Sequence, residues 1–134
     1  MLAVEQEFTQ QFIDAGFFPE NRISFENGEF DPTLFEGEWC EIKYFGNDVT
    51  PLTLNSLDDT DGFFQAILHY PTGTLSIDAK KKAEQIMKFF HIGKRMERDG
   101  VKIAVARTQQ MPSTSGASSY DLIVRIFFIA AMPR

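Results

Sequence analysis

Tyr120-Asp121-Leu122-Ile123-Val124-Arg125-Ile126-Phe127-Phe128-Ile129-Ala130-Ala131-Met132 decides how this chain folds, because the stretch is apolar on two sides at once. Side chains alternate across an extended strand. Leu122, Val124, Ile126, Phe128 and Ala130 therefore line one face, and Ile123, Phe127, Ile129 and Ala131 the other. From Leu122 onward only Arg125 interrupts. A chain of 134 residues has few elements with which to cover both sides of a sheet, so the second apolar face must meet a helix or another subunit. The expectation is a protein that assembles.

Working outward, the 14 phenylalanines point the same way, since eight of them stand in the doublets Phe17-Phe18, Phe63-Phe64, Phe89-Phe90 and Phe127-Phe128. Neighbouring aromatics cannot share one face of a strand, whereas on a helix they lie ~100° apart and can both skirt one apolar stripe. The doublets in strand-like sequence, Phe63-Phe64 and Phe127-Phe128, thus add to the two-faced reading.

Helical spacing is clear in two places. Val4, Phe8, Phe12 and Ala15 recur within residues 2–15, and Gly16 supplies a stop. Ile77, Ala83, Ile86, Met87 and Phe90 form a stripe over 77–91, with Ser76 placed to cap it and Gly93 to end it.

Strand signals fill the rest. A short strand is expected over 22–25, closed by Asn27-Gly28, and an ordered connection over 26–37. Trp39 to Phe45 alternates as a half-buried strand. Gly46-Asn47-Asp48 turns into a second strand over 49–54, giving a hairpin in which Pro51 demotes that strand to an edge or bulge. Residues 55–61 read as a polar, acidic loop, followed after Gly62 by a long strand from Phe63 to Tyr70. Asp99-Gly100 is a turn, 101–107 a strand, and 111–119 a Pro/Ser/Thr/Gly/Ala connection with no apolar period. The order helix, strands, helix, strands predicts one α+β domain over 1–134, with a mainly antiparallel or mixed sheet and both helices on one face.

Composition bounds the function. The mass of 15.3 kDa suits one core. The net charge of −6 argues against wrapping nucleic acid by neutralising phosphates. The basic clusters Lys80-Lys81-Lys82 and Lys94-Arg95 with Arg98 sit at the start and exit of the second helix and read as a solvated face. The single cysteine, Cys40, forms no internal disulfide and fits a reducing compartment. Glu5 and Glu7 stand where a secretory leader would be cationic, and the apolar run Ile126–Met132 is far short of the ~20 residues of a spanning helix, so cytosolic synthesis and no membrane partner are expected.

If Gly62 is set at the sixth position of a calcium loop, Leu57 and Leu68 fall at the first and twelfth, and neither offers oxygen, so Asp58, Asp59 and Asp61 read as solvated acids. Cys40 with His69 or His91 would make a thiol and base. However, Cys40 sits beside Trp39 in a strand, where a lone cysteine packs as a small hydrophobe, and His91 suits a helix C-terminus. No catalytic residue, cofactor or metal is assigned. Trp39 is read as a core residue or an interface anchor. Arg125 is read as paired with an acid or exposed on the outer side of the sheet.

Several of these pieces, in order, resemble the tail terminator proteins of long non-contractile-tailed bacteriophages. They are the N-terminal helix, Ile23-Ser24-Phe25-Glu26-Asn27 with Phe30-Asp31-Pro32, Trp39 opening a strand, and a polar hairpin. Gly62 leading a strand to Tyr70-Pro71-Thr72-Gly73, the helix 77–91 and two closing strands around a loop complete the set. Glu41 and Asp58-Asp59 depart from the basic residues such proteins often carry in those regions. The resemblance implies a non-enzymatic virion protein made in the host cytoplasm and placed at the head-proximal end of the tail. It implies a ring, hexameric, that binds the last ring of the tail tube protein, ends polymerisation and offers its other face to the head-completion or connector protein, while DNA passes through the bore without sequence-specific binding. A head-completion or neck subunit is the neighbouring alternative. A small ligand-binding or enzymatic α+β domain with Cys40 and His69 in a cleft between sheet and helices is the remote one.

On that reading the candidates for the lateral subunit interface are Phe127, Ile129, Ile123, Arg125 and Trp39, from the two-sided strand and the lone tryptophan. Candidates for axial contacts with tube or connector are Asp58, Asp59, Asp61, Asn47, Ser113 and Ser115, from polar loops that can order on docking.

Overall fold

The computed structural model describes residues 2–26, 28–32, 36–47, 50–51, 57–71, 73, 76–112 and 119–133. Helix α1, Leu2–Ala15, forms where Val4, Phe8 and Phe12 repeat every four residues with no glycine or proline between them. That spacing stacks the three on one side, and all three are fully buried. Helix α2, Ser76–Phe89, buries Ala79, Ala83 and Ile86, with Phe90 just beyond its end. Ile77, expected in its stripe, is instead 53% exposed, and Ala79 takes the inward place. Lys94 closes the helix by donating from Nζ to the Phe89 carbonyl at 3.2 Å, so a cation meets the negative end of the helix dipole.

The strands are β1 (Ile23–Ser24), β2 (Trp39–Gly46), β3 (Thr50–Pro51), β4 (Leu57–Pro71), β5 (Arg95–Arg98), β6 (Val101–Pro112) and β7 (Ser119–Pro133). They form one sheet in the order β1-β2-β4-β7-β6-β5, with β3 also paired to β4. Only β1 with β2 is parallel, so the sheet is mixed and mainly antiparallel, and the α+β expectation holds.

Both helices lie on the inner face. Phe8 is the keystone: its ring stacks on Phe64 at 5.4 Å and meets Phe128 at 5.5 Å and Phe90 at 5.6 Å, joining α1, β4, β7 and the end of α2. Burying one such side chain contributes ~1.5–3 kcal/mol. Around it the inward residues of β7, Leu122, Val124, Ile126, Phe128, Ala130 and Met132, are all buried.

Several expectations require correction. The acidic stretch 55–61 is not a loop from Leu57 on: Asp58, Asp59 and Asp61 lie in β4, paired with Met132, Ala131 and Ile129. A 15-residue β7 offers a partner along its whole length, and alternation turns Thr60 inward while Asp59 and Asp61 face out. The hairpin between residues 39 and 54 is also replaced. β3 pairs with β4 at Asp58 and Asp59, so β2 and β3 follow one another along the same edge of β4. Pro51 then sits on an edge strand, as its missing N–H requires.

Residues Arg95–Arg98, read from sequence as the basic exit of a helix, are strand β5. Met96 points inward, and a hairpin through Asp99 (φ 53°) and Gly100 (φ 81°) has the two positive φ values of a type I′ turn. β6 extends to Pro112 rather than ending at Arg107, so residues 111 and 112 of the expected connection are strand, and 113–118 lie outside the described residues. The β2–β4 ladder ends where Gly46 pairs with Gly62, and a Cβ on Gly62 would run into the Phe45 carbonyl, so this close approach needs glycine.

Candidate assembly surface

Among the described residues, the outer face of the sheet carries no helix. Strand register sorts it into rows: Trp39, His69 and Asp121; Glu41, Ile67, Ile123 and Met111; Lys43, Gln65, Arg125 and Gln109; Phe45, Phe63, Phe127 and Arg107; then Asp61, Ile129 and Ala104. The strand doublets divide as alternation demands. Phe64 and Phe128 are buried inside, whereas Phe63 and Phe127 stand half-buried outside.

The fourth row is an aromatic ladder. Phe45 and Phe63 stack at 4.7 Å, and Phe63 meets Phe127 at 5.2 Å. Three cations lie over it: Lys43 above Phe45 at 5.7 Å, the Arg125 guanidinium 4.8 Å from the Phe63 centroid, and that of Arg107 only 3.6 Å from Phe127. Arg107 reaches this place through a bulge. The register slips between Val105 and Arg107, leaving Ala106 without a counterpart and turning Arg107 outward, where unbroken alternation would have sent it into the core.

These flat-lying cations shield part of the apolar face. Contacts of this kind are worth ~0.5–1 kcal/mol at exposed sites. Shielding fails at Ile129, 56% exposed, and Phe45, 39% exposed. Beside Ile129 the small side chains Ala104 and Ala131 leave a groove of about 700 Å³, rimmed by Arg95, Lys102, Glu97 and Asp59.

Of the lateral candidates, Phe127, Ile129, Ile123 and Arg125 all lie on this outer face. Among the described residues Arg125 forms no ion pair with an acid; its Nε donates to Gln65 Oε1 at 2.9 Å. Trp39 also faces out, half-buried between the rings of Phe30 (4.8 Å) and His69 (4.0 Å). His69 is held from two sides. Its Nδ1 lies 2.8 Å from Asp121 Oδ1, while Nε2, buried and without a hydrogen-bond partner among the described residues, stands 3.8 Å from a Glu41 carboxylate oxygen. Phe45, Phe63, Arg107 and Asp121 were not among the interface candidates read from the sequence. The Phe63-Phe64 doublet was the signal for the first two, read across to Phe45, but a bulge leaves none for Arg107.

The thiol and imidazole reading is overturned. Cys40 points into the core, fully buried, while His69 belongs to the outer face. Burial first, then the neighbouring Glu41 carboxylate, pushes the Cys40 thiol well above its ordinary range, which is the reverse of activation. No group of three or more histidine, cysteine or carboxylate side chains among the described residues is placed to hold a metal ion.

The described axial candidates, Asn47, Asp58, Asp59 and Asp61, fall at one end of the sheet. Asn47 follows β2 and is pinned rather than loose: its N–H donates to the Asp61 carbonyl at 2.8 Å and its Nδ2 to Asp61 Oδ1 at 2.7 Å. Its own carbonyl accepts from the buried Thr60 hydroxyl at 2.9 Å. Asp58 and Asp59 follow on the same strand. Ser113 and Ser115 lie outside the described residues.

Comparison with known proteins adds a family. A family model described as phage tail terminator protein matches residues 1–128. A search of curated proteins found no match. One solved structure, whose printed name states no function, superposes with a TM-score of 0.74 at 15% sequence identity, covering 96% of this chain and 93% of the other. At that identity the likeness shows the fold alone. With the family model spanning nearly the whole chain, the protein belongs to the phage tail terminator family, and it is a structural component of the virion tail.

Proposed function

We propose that this protein closes the head-proximal end of the phage tail: a hexameric ring that caps the last ring of the tube protein, ends its polymerisation and presents its other side to the head connector, with DNA passing through the bore. The observation that carries this reading is the outer sheet face, where Phe45, Phe63, Phe127 and Ile129 are covered by neither α1 nor α2. In a head-to-tail ring each copy contributes two different surfaces, and closure follows when the rotation between copies is right.

Phe127, Ile129, Ile123, Arg125 and Trp39 are the proposed lateral contacts. Asn47, Asp58, Asp59 and Asp61, gathered at one end of the long strands, are the proposed axial contacts on one side. Ser113 and Ser115, between the ends of β6 and β7, are the candidates for the other. Electron microscopy of particles assembled without this protein tests the role. Overlong tails detached from heads are the expected result. Normal-length tails beside tailless, emptied heads would overturn termination in favour of a neck connector.

A further inference from the structure

The sheet order separates two charged regions that lie close together in neither sequence nor space. Residues 20–41, which lead into β1 and β2 at one side of the sheet, carry seven carboxylates against a single cation, Arg22. Residues 94–107, which build β5 and much of β6 at the opposite side, carry five cations against two carboxylates. In a chain of net charge −6 this is a segregation, not a surplus. Glu26, Glu29, Glu36 and Glu38 are exposed, as are Arg95, Lys102 and Arg107, and none of them forms an ion pair among the described residues.

The basic side also holds a receptacle. Arg95 and Lys102 rim the groove of about 700 Å³ whose floor is Ile129, Ala104 and Ala131, and Arg107 lies one step further along β6. Glu97 and Asp59 share that rim, but Asp59 is already engaged within the chain. The acidic side supplies an insert of matching character, since the connection before β2 carries Phe30, whose ring already lies on the outer face against Trp39.

Resting on the ring reading above, we infer that the occupant of this groove is a second copy of the chain: Glu29 and Glu36, which precede β2, meet Arg95 and Lys102 of the neighbouring copy beside its Ile129. Opposite charge on opposite sides of one sheet is self-complementary only head to tail. The same charges repel two copies that meet through like sides, so they select the arrangement that can close into a ring.

Charge reversal in pairs tests this. Arg95→Glu with Lys102→Glu places carboxylates on the groove rim opposite Glu29 and Glu36, and Glu29→Lys with Glu36→Lys places cations opposite Arg95 and Lys102, so each double variant sets like charges against one another at the proposed contact. All four positions are exposed, and retention of the far-ultraviolet circular dichroism and denaturation midpoint of the parent verifies folding. By sedimentation velocity, each double variant alone should self-associate at least about a hundredfold more weakly than the parent. An equimolar mixture of the two should recover assembly with copies alternating around the ring. Parent assembly should also weaken between about 0.1 and 1 M salt, where the Debye length falls from about 10 to 3 Å.

Undiminished rings from either folded double variant, or no recovery in the mixture, overturn the pairing while leaving the ring reading intact. A parent that stays monomeric at every concentration and salt overturns both.

Discussion

Phe127 and Phe128 are adjacent in the chain and opposite in the fold, so truncating them one at a time separates what the sheet uses for stability from what it offers to other copies. Phe128 is 1% exposed and its ring meets Phe8 at 5.5 Å and Tyr44 at 5.8 Å. Phe128→Ala leaves a cavity under α1 and should cost about 3–5 kcal/mol of folding free energy. That is a large share of the roughly 5–15 kcal/mol a domain possesses.

Phe127, half-buried on the outer face, has the Phe63 ring and the Arg107 guanidinium as its aromatic and cationic partners. Losing that ring pair and that cation contact should cost the isolated chain only about 1–2 kcal/mol. Its effect should appear instead in self-association. Urea denaturation read by circular dichroism gives the first quantity, and sedimentation velocity on the folded fraction the second. The reasoning is refuted if Phe127→Ala destabilises the fold as much as Phe128→Ala does, or if it folds normally and assembles as the parent does.

Three further outcomes follow from the geometry. Gly62→Ala should lower stability by about 1–3 kcal/mol in chemical denaturation, because its Cβ meets the Phe45 backbone at the end of the β2–β4 ladder; an unchanged midpoint would show that this end of the ladder can open freely. Tyr70, raised from 10.0 to about 12 by burial and then by Glu38, Asp78 and Cys40, should be seen in ultraviolet titration as a tyrosine that ionises late. Its folded-state pKa lies above the unfolded value, so its contribution to stability is full below pH 10 and is lost as pH climbs toward 12; a tyrosinate signal complete by pH 10 in the folded protein would contradict this. Cys40, fully buried with its thiol raised, should resist alkylation in the folded protein and react at once in denaturant; rapid modification under native conditions would mean that the inner face opens.

The parts of the fold that sequence made legible are those where one face is apolar over several repeats. Val4, Phe8 and Phe12 announced α1, and the two-sided run in β7 announced both a covered and an uncovered face. What stayed hidden was set by partners distant in sequence. Met96 is the lone apolar side chain of β5, and Arg98, on the same inward face, pairs with Glu7 of α1 at 3.1 Å, so that strand has no periodic signature and exists because β6 pairs with it. Asp58, Asp59 and Asp61 look like a solvated loop until the length of β7 is known. Arg107 joins the outer ladder through a one-residue bulge that no local pattern reveals. The outer surface was therefore legible as apolar, but not as an aromatic ladder overlaid by cations.

Ile129 is the most open point of that surface, and the account requires another copy to cover it. The native thiol is buried, so Ile129→Cys provides a reporter without further change, and its alkylation rate across a protein concentration series reads the cover directly. Fast labelling in dilute monomer and marked protection in the assembled fraction is the outcome the account requires. Labelling equally fast at every concentration, assembled material included, would contradict it.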